Sequence, residues 1–247
     1  MLTNSFIHIP SVGYTTEQKI WRSGISGWDN FNLDKLNLPA FKALHIKKYV
    51  DLSIESYAKG DYEFFSSLLP SHEHWRCLAD YKKIAFLDIE TTGLDKSRDD
   101  ITVIGVYDGE SVKTFVKGED FLSFPEYISS FPMIVTFNGA CFDLPFISSK
   151  FGINFNQLHL DLRFAFSRLG YKGGLKRIEK AFGLQRSDET DGMDGFEAVR
   201  LWYKYLNGDD SALALLKKYN TEDIVGLKTL AANVYKLLKN KFTDYVK

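Results

Sequence analysis

The chain has 247 residues, 45% of them hydrophobic, and a formal net charge of -1. That supports a full core in one large domain, or in one domain with a substantial extension, and it excludes the global basic field that drives non-specific duplex binding. Two cysteines, Cys77 and Cys141, exclude a disulfide framework and suit a reducing cytoplasm; no basic-then-apolar leader and no run of about 18 apolar residues is present, so no signal peptide or membrane span is expected.

Residues 1–80 read as a helical or irregular extension packing on a core that occupies 81–247. Thr15-Thr16-Glu17 is a helix start and Gly24 its stop, and Trp21, Trp28 and Phe31 follow at spacings suited to packing, or alternatively to stacking bases of a single strand. His72-Glu73-His74 has strand-like metal spacing but no Cys or third His nearby, whereas dedicated sites need three or four ligands.

The core opens on Lys83-Ile84-Ala85-Phe86-Leu87-Asp88-Ile89-Glu90-Thr91-Thr92-Gly93. A run this apolar reads as a central strand, on which Asp88 and Glu90 share one face and Leu87 and Ile89 the other. Two unpaired carboxylates there would be costly, so a cation is expected between them, and hard oxygen ligands suit Mg²⁺ or Mn²⁺. A solvated polar turn is the plainer alternative. Ile101–Tyr107 and Ser111–Val116 read as strands joined by a two-residue Asp108-Gly109 hairpin turn, followed by a helix near Phe121–Ser129 and a strand over Met133–Phe137. Asn138-Gly139 stops that strand, and Asp143 falls at the N-cap of a helix over Leu144–Phe151, where it either caps or delivers a carboxylate beyond the sheet.

Gln157–Leu162 reads as a fifth strand on which His159 and Asp161 share a face, as a hydrogen-bonding pair or as outer support to a metal. Gly170-Tyr171-Lys172-Gly173-Gly174-Leu175-Lys176-Arg177 is either a phosphate cradle or a flexible turn with a solvated basic face. Asp188–Asp194 reads as a mobile acidic connection. A helix from about Asp210 to Leu238 carries the apolar stripe Leu213, Leu216, Tyr219, Leu227, Leu230, and Asp223 stands where that stripe calls for an apolar residue. Tyr219 lies one turn earlier on the same face, packed in the core or bonded to whatever Asp223 holds.

Asp88, Glu90, Asp143 and Asp223, with Tyr219, resemble the three motifs of the DEDD, DnaQ-like 3′–5′ exonucleases, and the Tyr-x-x-x-Asp spacing resembles their tyrosine subclass. Within that superfamily the chain is similar to the YprB-type proteins, through Gly174-Leu175-Lys176-Arg177-Ile178-Glu179, Leu201-Trp202, and the earlier series Glu17, Trp21, Gly24, Ile25, Trp28, Phe31. The resemblance implies an α/β, ribonuclease-H-like fold with a mixed five-stranded sheet flanked by helices, and a two-metal hydrolysis of DNA or RNA from a 3′ end. It implies that Asp88 bridges two Mg²⁺ or Mn²⁺ ions, that Glu90 and Asp223 complete one, that Asp143 holds the other, and that Tyr219 orients the attacking water. Thr91, Thr92, Asn138 and Lys176, polar residues beside these motifs, are candidate substrate contacts. A binding module that has lost catalysis and a structure-selective endonuclease on the same fold remain as alternatives.

Overall fold

The computed structural model describes residues 1–243. The described residues form two compact units, one of Met1–Lys82 with Asn156–His159 and residues 235–243, the other of Lys83–Phe155 with Leu160–Val234.

The first unit contains helices α1 (Tyr14–Arg22), α2 (Ala40–Lys59) and α3 (Tyr62–Leu68), then a 3-10 stretch over Ser71–Cys77. Gly24 follows α1 at φ 81, the left-handed conformation that ends a helix at least cost with glycine. The indoles belong to the core and are not a stacking platform: Trp21 and Trp28 are buried, and their N–H groups donate to the Asn4 and Ser5 carbonyls at 2.9 and 2.7 Å. Trp28 stacks on Phe65 with centroids 5.8 Å apart.

At the centre of this unit a fully buried Arg76 donates to both oxygens of Glu17 at 2.9 and 3.0 Å and to Glu73 at 2.5 Å. Glu17 in turn accepts from the backbone N–H groups of Phe6 and Ile7. Glu73 is thus committed to Arg76, and also accepts from the Tyr14 hydroxyl. His74 is buried, with Nε2 on the Leu69 carbonyl and Nδ1 accepting from His159 N–H. Glu73 therefore belongs to an ion-pair network, while His74 is held by backbone groups.

In the second unit the elements are β1 (Ile84–Thr91), β2 (Ile101–Tyr107), β3 (Val112–Val116), α4 (Phe124–Ser129), β4 (Met133–Thr136), α5 (Asp143–Phe151), β5 (Leu158–Asp161), α6 (Leu162–Arg168), α7 (Leu175–Ala181), α8 (Gly195–Leu206) and α9 (Asp210–Thr243). The first two residues of β5 and the end of α9 belong to the first unit. The expected five-stranded mixed sheet is present, in the order β3-β2-β1-β4-β5, with β1 antiparallel to β2 and parallel to β4. The hairpin differs from expectation. Tyr107 pairs with Val112, so four residues make the turn, because Asp108 Oδ1 accepts from both Glu110 and Ser111 N–H and folds the chain back on itself.

Alternation on β1 divides the unit into two cores. Leu87 and Ile89 join Phe124, Ile134 and Phe146 on one face of the sheet. Val103 of β2, on the other face, joins Leu201 and Trp202 of α8 and Leu216 and Tyr219 of α9. Asp88 and Glu90 point toward this second, α9-covered face.

Arg76→Met leaves Glu17 and Glu73 buried without their cation and is expected to cost about 3–5 kcal/mol of stability. Urea unfolding of the two proteins checks this, and a loss within the about 0.5 kcal/mol of an ordinary surface change contradicts it.

Candidate active site

The site begins with a missing side chain. Opposite Asp88 in the β1–β2 register stands Gly105, and a Cβ there would overlap Asn220 Oδ1. Because Gly105 is bare, the fully buried Asn220 of α9 reaches β1, and its Nδ2 donates to Asp88 Oδ2 at 3.0 Å. One turn along α9 from Tyr219, Asp223 arrives at the same place. One carboxylate oxygen from each of Asp88, Glu90 and Asp223 lies within 4.8 Å of the others.

Asp143 approaches from α5, but not as the cap expected of it. Phe142 occupies the cap position and makes no side-chain cap bond, and Asp143 is the first helical residue. Its Oδ1 turns to β1 and accepts from Ile89 N–H at 3.2 Å. It is buried, and its charge is felt directly at Asp88.

Crowding of like charges away from water sets the chemistry of this cluster. Burial, followed by the charges of Asp143, Asp223 and Glu90, raises the Asp88 carboxyl well above its ordinary range. Burial and then Asp223 do the same to Glu90. Asp143 is pushed up to about 7, by burial first and by Asp161 and Asp223 among the charges. Asp223 rises only to about 6, because Arg186 opposes the burial.

Arg186 was not legible as a site residue. Its side chain is 7% exposed; Nε donates to Glu179 at 2.8 Å, and Nη2 bonds Glu179 at 2.7 Å and also Asp223. The sequence places it at the edge of an acidic stretch that reads as a mobile connection. The structure pins that stretch instead: Thr190 and Met193 are buried, and the Ser187 and Thr190 hydroxyls bond the Glu222 carboxylate. Glu222, beside Asp223, therefore holds the loop that presents Arg186.

Tyr219 is buried with two cations near its ring, Lys176 Nζ at 5.1 Å from the centroid and the Arg186 guanidinium at 5.7 Å. Burial and then the charges of Asp223, Glu90 and Asp88 raise its pKa, so the hydroxyl keeps its proton. Lys176 Nζ is buried with no hydrogen-bond partner among the described residues, and burial followed by Arg186 lowers its pKa. Of the other three candidate contacts, Thr91 ends β1 and Thr92 and Asn138 lie just beyond strand ends: Thr91 Oγ1 donates to the Gly93 carbonyl at 2.6 Å, Thr92 Oγ1 accepts from Asp100 N–H at 2.9 Å, and Asn138 Oδ1 accepts from Arg163 at 2.6 Å. Asp161 accepts from the N–H groups of Asn138, Ala140 and Arg163, a satisfied structural role that shapes the turn leading to Asp143.

The donor set fits a hard divalent cation. It is all carboxylate oxygen on rigid elements, and Glu90 Oε1 is buried with no partner among the described residues. A cation here would relieve both the repulsion and the orphaned oxygen.

A family model described as the RNase H superfamily matches residues 85–235, which is more than half of the chain. The protein therefore belongs to the RNase H superfamily. Among solved structures, the family B DNA polymerase from the hyperthermophilic archaeon Pyrobaculum calidifontis is similar at 19% identity and a TM-score of 0.52, over 66% of this chain and 25% of the polymerase. This chain thus spans a quarter of that polymerase's length. NrnC from Brucella melitensis, in a structure with bound Mg²⁺, is similar at 20% identity and a TM-score of 0.48, over 70% of this chain and 79% of that one. The likeness to the polymerase bears on the fold alone. No curated protein matches the sequence. No helix among the described residues is long and apolar enough to cross a membrane.

Carboxyls whose pKa is raised by folding stabilise the fold fully below their unfolded value of about 4, and that contribution is lost as pH rises through the folded values near 6 and 7. In EDTA the thermal midpoint should therefore fall between pH 5 and pH 8, and Asp143→Asn, which keeps an acceptor for Ile89, should flatten the fall near pH 7. Mg²⁺ should raise the midpoint more at pH 8 than at pH 5, since protons compete with it for the same oxygens. A midpoint in EDTA that rises through this range contradicts the reading.

Proposed function

We propose that the protein is a metal-dependent 3′–5′ exonuclease acting on single-stranded DNA or RNA, of the tyrosine subclass of the DEDD superfamily and of YprB type. The observation that carries this reading is the meeting of Asp88, Glu90 and Asp223 oxygens within 4.8 Å, with Asp143 beside them, on the sheet of an RNase H-superfamily chain. In this reading Asp88, Glu90, Asp143 and Asp223 hold two divalent ions, Mg²⁺ or Mn²⁺. Bound there, such ions stabilise the attacking and leaving oxygens of an in-line phosphodiester displacement.

The chain's own residues supply position. Tyr219, one turn from Asp223, orients the attacking water through its hydroxyl and works by placement. Asn220, through its bond to Asp88 Oδ2, fixes the rotamer of that carboxylate, which would help to hold the ions. Arg186, anchored on Glu179, does the same for Asp223. The Lys176 ammonium, near the Tyr219 ring and without a hydrogen-bond partner among the described residues, is the cation suited to a phosphate oxygen of the substrate. The substrate of this reading is a nucleic acid with a free 3′ end.

Incubation with 5′-labelled single-stranded DNA and RNA should give a ladder that shortens from the 3′ end in Mg²⁺ or Mn²⁺ and is absent in EDTA. Asp88→Ala should slow it by at least about 10²–10³-fold, and Tyr219→Phe should lower kcat more than it raises KM. An Asp88→Ala protein as fast as the wild type contradicts the assignment, and cleavage of a circular single strand at the linear rate makes the enzyme an endonuclease instead.

A further inference from the structure

The second unit holds a cavity of about 720 Å³, within the roughly 300–1,000 Å³ typical of small-molecule sites. Its lining combines Phe137, Phe166 and Tyr171 with Arg163 and Lys172, and includes no acidic side chain. Tyr171 is fixed at the rim: its ring packs on Phe166 and Phe182 with centroids 5.8 and 5.1 Å away, its N–H donates to the Phe166 carbonyl, and it is still 37% exposed. Arg163 is fixed too. Its Nη1 donates to Asn138 Oδ1 at 2.6 Å, and Asn138 is itself held, at φ 72, by its N–H bond to Asp161. The exposed Lys172 has no hydrogen bond or ion pair among the described residues.

The cavity lies next to the carboxylates. Phe137 and Asn138 follow directly on β4, whose parallel pairing with β1 puts their end of the sheet beside the end that carries Asp88 and Glu90. The short helix α7 lines both places, with Leu175 in the cavity wall and Lys176 over Tyr219. Open α/β sheets bind ligands outside the carboxyl ends of their strands. A concave space edged by aromatic rings and by two cations without an opposing acid is complementary to a planar base joined to a phosphate.

We propose that this cavity seats one nucleotide of the substrate strand, the unit next to the bond being cut, with its base against Phe137 and Tyr171 and its phosphate between Arg163 and Lys172. The proposal rests on the exonuclease reading and adds to it a subsite distinct from the carboxylates. Two substitutions at exposed positions probe it while sparing the core: Lys172→Glu reverses the charge at the rim, and Ser167→Trp fills the cavity. Binding of a 5′-fluorescein single-stranded oligonucleotide is read by anisotropy in EDTA, and hydrolysis of the same strand in Mg²⁺, with circular dichroism to establish that each variant is folded. Each variant should raise both Kd and KM about tenfold, the size of one lost base or phosphate contact, while kcat stays within about twofold. Folded variants that hydrolyse the strand with wild-type KM and Kd overturn the subsite and leave the exonuclease intact. A wild-type protein that neither binds nor hydrolyses the strand overturns both.

Discussion

Everything at the site follows from placing Asp88, Glu90, Asp143 and Asp223 where water screens them poorly. Two come from the central strand, one from the start of α5 and one from the middle of α9, and none is supplied by a flexible loop. Like charges brought this close out of water raise one another's pKa, and here burial is the largest cause at all four. A sheet and two helices hold against that repulsion, so the cluster represents stability given up for a function that needs a cation.

The supporting residues make sense as answers to that repulsion. Gly105 removes a side chain so that Asn220 can donate to Asp88; a Cβ at that register position would overlap the Asn220 amide and displace it. Arg186 shares its guanidinium between Glu179 and Asp223, which explains why Asp223 is the least perturbed of the carboxyls. Asp161 takes three backbone N–H groups from the turn after β4 and from the start of α6, and so sets the path on which Asp143 is delivered. Where the first unit needed to bury charge it did so with neutralisation built in, since Arg76 lies between Glu17 and Glu73. In the acidic cluster Glu90 Oε1 is buried with no hydrogen-bond partner among the described residues, and this contrast is the physical ground for reading one as structure and the other as a site.

Local periodicity made much of this legible. The two-residue spacing of Asp88 and Glu90 on an apolar strand, and the interruption of the α9 stripe at Asp223, each mark a carboxylate turned toward the core, and both stand where those periods put them. The five strands and their order of occurrence follow from the same periods. Long-range pairing leaves no such trace. Nothing within seven residues of Arg186 shows that it reaches α9, and Asn220 looks like any polar residue in a helix until Gly105 is known to face it. Asp143 has the sequence of a cap and the geometry of a strand partner, because Ile89 offers it a backbone N–H that only the folded sheet brings near. The Trp21 and Trp28 rings, open to two readings in sequence, are core because their indole N–H groups find backbone carbonyls in the fold.

Divalent cation binding by the four carboxylates is what the proposed chemistry depends on. The most direct test is anomalous diffraction from crystals of the full chain soaked in Mn²⁺. An anomalous peak bounded by the oxygens of Asp88, Glu90 and Asp223 is expected, with a second beside Asp143, and loss of the first in Glu90→Gln. Fully ordered carboxylates with no anomalous density among them, at Mn²⁺ concentrations that support activity, would contradict it.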